Sequence, residues 1–509
     1  MIFQNRYALP LFFILPCALA LLCSCHEQAS AEKEITCNSE ISQGGNWYPS
    51  SAPFEGGNDS GRTHLFRGCT GLRENSKVTL ASKADHIPGT YNIVTRADGA
   101  IYALAGSYGR ITPSYGPFVV SLNAHDLKER WRTALPNIDK NDWNYPGAIG
   151  VHRNGDLYVI YGRHLVRINP TSGALKASAL LPTNQPGNNV SYNGFVLLSD
   201  GKIAAKSIHR QVGCDEPDFQ AFFHCKTTGM SPSTLVLINP ETMGIDQTLI
   251  TPEHTRFRLT STKAGEVEYV YIPGEHRLYR YRYASGQLSF DDTWQPEYLL
   301  PGQTAGTAVA AFGDWVVIQT NGMPTQKALS IVALSQRDPL LKFRIEPFAD
   351  SSHLGSFMPS MPTVDIENNR IYAFDGYAGG LAALDFNPKS GFSIAWKVSQ
   401  QRSFAFSALV GPKSARTLIS TNISDFLPNF LLQNLDLKRK VWLTHLAVIP
   451  REELVWRDAV SGHELGRSKA IAAVAGSALT PGPDGSLYVP DLKDHRLIRL
   501  AATGRDSSD

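Results

Sequence analysis

The side chains able to do chemistry in this chain are thinly spread, and only a few stretches gather several of them. His209-Arg-Gln-Val-Gly-Cys214 runs into a loop that carries Phe219, Phe222, Phe223 and His224 and ends at Cys225. Two thiols separated by one short loop read as a disulfide in an exported protein, and an aromatic tip held rigid binds a partner or covers a site. The competing chemistry is a Cys/His metal site using His224, but no Cys-x-x-Cys pair or second nearby His supports it. Asp350-Ser-Ser-His353 begins a polar loop ahead of a strand-like segment, and Asp142-Trp143-Asn-Tyr145 occupies the same place ahead of an earlier one. Trp143, Tyr145, His209, Phe222 and His353 are therefore the candidate loop-face binding residues; the plainer alternative is a solvated histidine and aromatics packed onto their own sheet. Motifs of fixed grammar are missing. There is no Gly-x-Ser-x-Gly, Gly106-Ser-Tyr-Gly109 has the wrong spacing, and His463-Glu464 is followed by Leu-Gly-Arg instead of a second zinc ligand. Catalytic residues and metal ligands stay unassigned.

The N-terminus carries an address. One positive charge, Arg6, precedes an apolar run from Ala8 to Cys23 broken only by Pro10 and Pro16, too short to span a bilayer comfortably and placed as a secretory signal. Its end, Leu22-Cys23-Ser24-Cys25, resembles a bacterial lipobox, which implies that Cys25 becomes the first mature residue and carries lipid through a thioether. Several acyl chains give stable anchoring where one is marginal. The competing reading is an ordinary signal cut near Ala31, with Cys25 discarded. By resemblance to Gram-negative lipoproteins, His26 after that cysteine implies the periplasmic face of the outer membrane. Cys23-Ser-Cys25-His26 is one residue short of a haem attachment spacing. Of the 7 cysteines, Cys37, Cys69, Cys214 and Cys225 remain. An even remainder reads as two disulfides, Cys214 with Cys225 inside one loop and Cys37 with Cys69 stapling the N-terminal segment.

These residues need elements to position them, and internal repetition supplies the elements. A short apolar segment, a Gly/Asp/Asn turn and a second β-rich segment recur from Asn92, Ala148, Phe195, Arg258, Ala308, Thr363, Ala408 and Ala478. Each reads as a hairpin by its period and turn residues. Most are followed by a second hairpin, as in Val166-Arg-Ile-Asn-Pro-Thr-Ser-Gly173 and Ala383-Leu-Asp-Phe-Asn-Pro-Lys-Ser-Gly391. Two hairpins make a four-stranded unit, and repetition every ~40–60 residues predicts an all-β, single eight-bladed β-propeller, with seven blades as the alternative. The last unit ends at Ala501-Ala-Thr-Gly with no room for a fourth strand. Lys77-Val-Thr-Leu-Ala-Ser can supply it and so close the ring, removing two exposed sheet edges.

The second-hairpin pattern, an apolar strand, Asn/Asp-x-x-(Ser/Thr)-Gly and a strand reaching Trp or another apolar residue, resembles the repeats of the pyrroloquinoline-quinone (PQQ)-like propeller superfamily. It is carried by Leu122-Asn-Ala with Trp131, Asn169 to Gly173, Ile238-Asn-Pro-Glu-Thr, Asp385 to Gly391 with Trp396, and Trp456 to Gly462. The resemblance spans most of the mature chain and implies structural roles for the Trp and Gly positions, with the tryptophans packed between neighbouring blades. The superfamily includes quinoprotein dehydrogenases, which hold PQQ between a channel Trp and a vicinal-cysteine disulfide with Ca²⁺ on Glu, Asn and Asp, and a non-catalytic lipoprotein of the outer-membrane β-barrel assembly machine. This chain has no vicinal cysteine pair in its mature part and no Cys-x-x-Cys-His segment, so no motif indicates PQQ or Ca²⁺.

Composition agrees with a strand-and-turn architecture. In 509 residues there are 42 Gly and 31 Pro, and charged residues are only 18%. Forty-eight basic against 46 acidic residues leave a net charge of +2, which excludes a global field for nucleic acid. The resulting organisation is a signal at 1–24, an N-terminal tether and stapled segment at 25–75, the propeller at 76–504 and a disordered tail at 505–509. The expected function is a binding or scaffold module at the envelope, engaging protein, glycan or a small ligand through its loop face; the alternative is an enzyme with a central-channel site, either a quinoprotein-type dehydrogenase or a metal-assisted lactonase or hydrolase. A scaffold predicts a channel plugged by apolar side chains and an apolar patch on loops or blade edges, and an enzyme of the metal-assisted type predicts one or two buried carboxylates converging with Asn or His at the channel mouth, with perturbed pKa values.

Overall fold

The computed structural model describes residues 59–66, 72, 76–96, 99–106, 116–138, 142–143, 145–216, 221, 225, 229–255, 258–322, 327–350, 361–376, 379–400, 406–423, 451–472, 474, 478–482 and 484–503, all within the compact unit Cys37–Asp509. Cys25, Cys37, Cys69, Phe222 and His353 lie outside them.

Six four-stranded antiparallel sheets follow one another along the chain, and a nine-stranded sheet contains two further four-stranded runs. Burial explains their composition. Middle strands such as Ala100–Ala105 (AIYALA) and Leu157–Tyr161 (LYVIY) are buried at every position, because each sheet is sandwiched between its neighbours and both faces of the strand meet apolar surface. The outermost strands, Leu175–Leu180 and Ile245–Ile250 among them, alternate between exposed and partly covered residues, since one sheet edge meets solvent.

The innermost strands are Asn92–Thr95, Ala148–Val151, Val190–Leu197, Thr260–Ala264, Val309–Phe312, Thr363–Asp365, Ala408–Val410 and Thr480–Pro481. They pack side by side in that order, and the last packs against the first, so they enclose a central channel. Closure at the rim is made as the sequence predicts: Ser76–Ala84 pairs antiparallel with Arg496–Thr503, Lys77 opposite Thr503 and Ala84 opposite Leu497. The same strand also meets Gly466 and Arg467 in parallel, which merges the last two four-stranded runs at their outer edge.

The repeated motif has a mechanical meaning. Asn169 accepts hydrogen bonds from the backbone N–H groups of Thr171 and Ser172, and Asn239, Asn387 and Asp458 do the same two and three residues ahead. This side-chain turn shapes the outer hairpin. Its glycine then lies under an aromatic of the preceding sheet: a Cβ on Gly173 would sit 2.7 Å from the Trp131 ring, and one on Gly462 2.7 Å from Trp396. Both glycines also have positive φ, 74° and 76°, so two constraints select the same residue. The indoles finish the joint by donating to the next sheet, Trp131 Nε1 to Pro170 O at 3.0 Å and Trp396 Nε1 to Ala459 O at 3.2 Å. The tryptophans are joints between sheets, as the resemblance implies.

Candidate functional site

Residues 59–66, part of the stretch assigned above to an N-terminal tether, are built into the ring. They run across the inside of the channel and bond to the free edges of successive innermost strands. Ser60 Oγ donates to Leu197 O, and the Leu197 N–H donates back to Oγ. The carbonyls of Ser60, Gly61, Thr63 and His64 accept from the N–H groups of Ser261, Ala311, Val364 and Leu409 at 2.8–3.0 Å. Leu65 and Phe66 then pair in parallel with Leu409 and Val410. The strap therefore touches the third through seventh units in turn. Gly61 permits its closest approach, because a Cβ there would lie 3.0 Å from that of Ala311. Asp59 starts the strap as a turn, its carboxylate accepting from the Thr63 N–H and hydroxyl at 3.3 and 2.9 Å. Burial pushes its carboxyl above the usual value despite those bonds.

Two strap side chains, Arg62 and His64, are buried and adopt positive φ of 54° and 58°, a conformation that costs a non-glycine residue about 1 kcal/mol or more and persists only when its surroundings impose it. Both reach toward the face of the ring where each sheet hands the chain to the next innermost strand, here the upper face. Arg62 Nε donates to Leu259 O at 2.7 Å, and His64 Nδ1 lies 2.8 Å from Ser407 O; those carbonyls immediately precede innermost strands. Because a carbonyl only accepts, Nδ1 carries the proton. Burial first, with the Arg62 and Arg258 guanidiniums adding to it, pushes the His64 imidazole down to about 4.

Above the strap, Arg258 extends from the fourth sheet across the mouth. Its guanidinium lies 5.6 Å from the centre of the Tyr91 ring and 5.5 Å from that of Phe406, and it bonds to the Tyr91 hydroxyl. Tyr91 precedes the first innermost strand and Phe406 the seventh, so this side chain bridges well-separated parts of the ring. His64 stacks on the same Phe406, with centroids 5.8 Å apart and planes at 26°. Ala308, Met361, Phe406 and Ala478 form a small apolar cluster at this level. Among the described residues, a guanidinium between two aromatics thus bridges the upper mouth, and the chain's own strap lines the inner edges of the third to seventh units.

The described candidates from the sequence lie elsewhere. Trp143 and Tyr145 do not present themselves on a loop face: they are 0% and 8% exposed and pack edge to face with centroids 5.5 Å apart. Ile208, Cys214 and Ala221 complete that cluster. Cys214 and Cys225 form a disulfide with Cα atoms 6.1 Å apart, and Cys225 packs against this same cluster. His209 is also buried; its Nε2 is 2.9 Å from Ser207 Oγ and its ring 5.5 Å from that of His254. His254 Nδ1 lies 3.3 Å from Glu275 Oε1. Burial, then His254, pushes His209 down to about 3. The sequence reading missed Arg62, His64, Tyr91, Arg258 and Phe406. The last three precede innermost strands and were findable as repeat positions; nothing in the local sequence marks the strap.

No protein-family model matches the chain, and no curated protein sequence matches it. Solved structures do. BamB from Moraxella catarrhalis is 10% identical with a TM-score of 0.50, covering 85% of this chain and 99% of its own. The likeness shows a β-propeller fold. A europium-containing methanol dehydrogenase aligns with a TM-score of 0.55 at 8% identity, over 89% of this chain and 98% of its own. A quinohemoprotein alcohol dehydrogenase from Comamonas testosteroni aligns with a TM-score of 0.54 at 10% identity, over 92% and 83%. At such identities the likeness concerns the propeller alone. Among the described residues, the disulfide joins cysteines 11 apart and not neighbours, and the innermost strands of the third to seventh units offer their backbone edges to the strap. Among the described residues, no three His, Cys, Asp or Glu side chains are grouped to hold a metal ion.

Proposed function

We propose that this protein is a lipid-anchored envelope propeller that works by binding, with the loop face of the ring engaging a protein, glycan or small ligand. The observation that carries this reading is the filled channel: residues 59–66 occupy the inner edges of successive sheets, and Arg258 bridges Tyr91 and Phe406 above them. A ring whose centre is occupied by its own chain keeps its outer faces and loops for partners. Taking each four-stranded run as one blade, the propeller has eight. Cys25 is its lipid-bearing residue, and the periplasmic face of the outer membrane its location. The enzyme alternative would require a substrate to displace the strap or Arg258.

The test is metal and PQQ analysis of purified soluble protein beginning after Cys25. Neither is expected in stoichiometric amount, and finding either would overturn the binding reading in favour of catalysis. Cys25→Ser is expected to release the protein from membranes; retained lipid labelling would refute the anchor.

A further inference from the structure

The strap is built differently at its two ends. From His64 onward it is anchored on the seventh unit. His64 Nδ1 donates to Ser407 O, its ring stacks on Phe406, and its carbonyl accepts from the Leu409 N–H. Leu65 and Phe66 pair with Leu409 and Val410, sit in apolar clusters, and are completed by the Gly411 N–H, which donates to Phe66 O at 3.0 Å. Asp59 to Thr63, by contrast, is a stretch without one hydrophobic residue. It crosses the third to sixth units, giving the Ser60 hydroxyl to the third and one backbone carbonyl each, from Ser60, Gly61 and Thr63, to the fourth, fifth and sixth.

This stretch also carries hydrogen bonds of its own. The Arg62 N–H donates to Asp59 O at 3.0 Å, and the Thr63 N–H and hydroxyl donate to the Asp59 carboxylate, so the turn keeps these bonds wherever it goes. What it surrenders on leaving the ring, water returns: its carbonyls and hydroxyl find new donors, and the buried Arg62 guanidinium regains hydration. An apolar segment would have no such return. Arg62 is also relieved of a positive φ. Closure of the ring does not depend on this stretch, because Ser76–Ala84 pairs with Arg496–Thr503 at the rim.

We propose that Asp59–Thr63 is a swinging plug, which leaves the channel as one self-bonded turn, pivots on His64–Phe66, and so converts the ring between a strapped and an open state. In the open state the N–H groups of Leu197, Ser261, Ala311 and Val364, one from each of four consecutive innermost strands, pass from the strap to water. The inference goes beyond the binding reading, which concerns the outer loops, and holds whichever function those loops serve.

Hydrogen exchange of the full chain at pH 7.5, read at single amides by mass spectrometry, decides the matter. The Leu197, Ser261, Ala311 and Val364 amides are expected to share one protection factor, about tenfold or more below that of amides bonded within the same sheets, because one opening exposes all four. The Leu409 and Gly411 amides, on the pivot, are expected to stay protected. In Gly61→Val the new Cβ alone would lie 3.0 Å from that of Ala311, and all four protection factors are expected to fall by a common factor of about tenfold or more. Ser60→Ala, which removes the hydroxyl bonded to Leu197, is expected to lower those of Ser261, Ala311 and Val364 by a smaller common factor. Thermal unfolding of each variant checks that the ring is intact, and if Gly61→Val does not fold, Ser60→Ala and the unaltered protein decide. Four unrelated protection factors, a shared one equal to that of global unfolding, a change in Gly61→Val confined to Ala311, or loss of Leu409 and Gly411 together with the four would overturn the proposal. Bound metal or quinone would overturn the binding reading and leave this one to the exchange rates.

Discussion

The rim and the channel of this ring are held together by opposite means. At the rim, one joint is used repeatedly: an Asx-type turn, a glycine with positive φ and an indole or phenyl ring from the preceding sheet, as at Gly173 with Trp131, Gly391 with Phe343 and Gly462 with Trp396. In the channel a single strap serves several units, its carbonyls accepting from an innermost-strand N–H in each of the fourth to seventh, and a single arginine spans the mouth. Rim stability is modular, because each joint involves only neighbouring sheets and loses only its own contribution when broken. The channel is a shared element: one strap is held by five successive sheets, so disturbing it loosens several units at once while leaving every rim joint in place.

That contrast can be broken or sharpened by measurement. The largest effect is expected from deleting residues 76–84, which supply the fourth strand of the last unit and its bridge to the preceding one. Cooperative urea unfolding should be lost, because an open ring exposes two unpaired sheet edges; an unchanged transition would show that the channel strap alone closes the ring. Next, Trp131→Ala should destabilise by about 3 kcal/mol through the cavity and the lost bond to Pro170, and Trp396→Ala by a similar amount. Because their joints are well separated, the double variant should be additive in denaturant titrations, and marked non-additivity would contradict modular rim joints.

Acid acts on the channel and on the His209 cluster, and spares the rim tryptophans. His64 and His209 titrate in the folded protein at about 4 and about 3, below the ordinary value of 6.5. The unfolded chain therefore binds more protons between those values, so their contribution to stability is fully present above pH ~6.5 and is lost as the pH falls toward ~4. Each unit of difference corresponds to about 1.4 kcal/mol. The thermal midpoint is expected to drop across this window, and the drop to shrink in His64→Phe and in His209→Gln; a flat profile in the unaltered protein would show that neither ring is held neutral. The smallest effect is expected from Thr63→Ala, which removes the hydroxyl bond to Asp59 and should cost about 1 kcal/mol by thermal unfolding. A larger loss would mean that the turn at Asp59 governs entry of the whole strap.

Legibility in the sequence followed the same division. Each rim joint is encoded within a few dozen consecutive residues by residue types with narrow physical uses, so the hairpins at Asn92, Ala148 and Thr363 and the closing strand at Lys77 were readable from period and turn chemistry. Trp143 and Tyr145 were read as loop-face residues because local sequence reveals an aromatic pair ahead of a strand but not the distant residues packed against it. Cys214 and Cys225 mark a pairing without saying that it packs on Trp143 and Tyr145.

The sequence by itself determined the repeating unit, its turns, its inter-sheet joints and the strand that closes the rim, because those depend on contacts between neighbouring segments and on backbone preferences of single residues. Only the tertiary structure decided what fills the centre. Asp59 to Phe66 have no strand pattern of their own, and Tyr91, Arg258 and Phe406 are far apart in the chain; they meet because ring closure brings the ends of separate sheets to one axis. A free β-edge facing that axis must bond to something, and in this protein part of it bonds to the chain's own N-terminal strap.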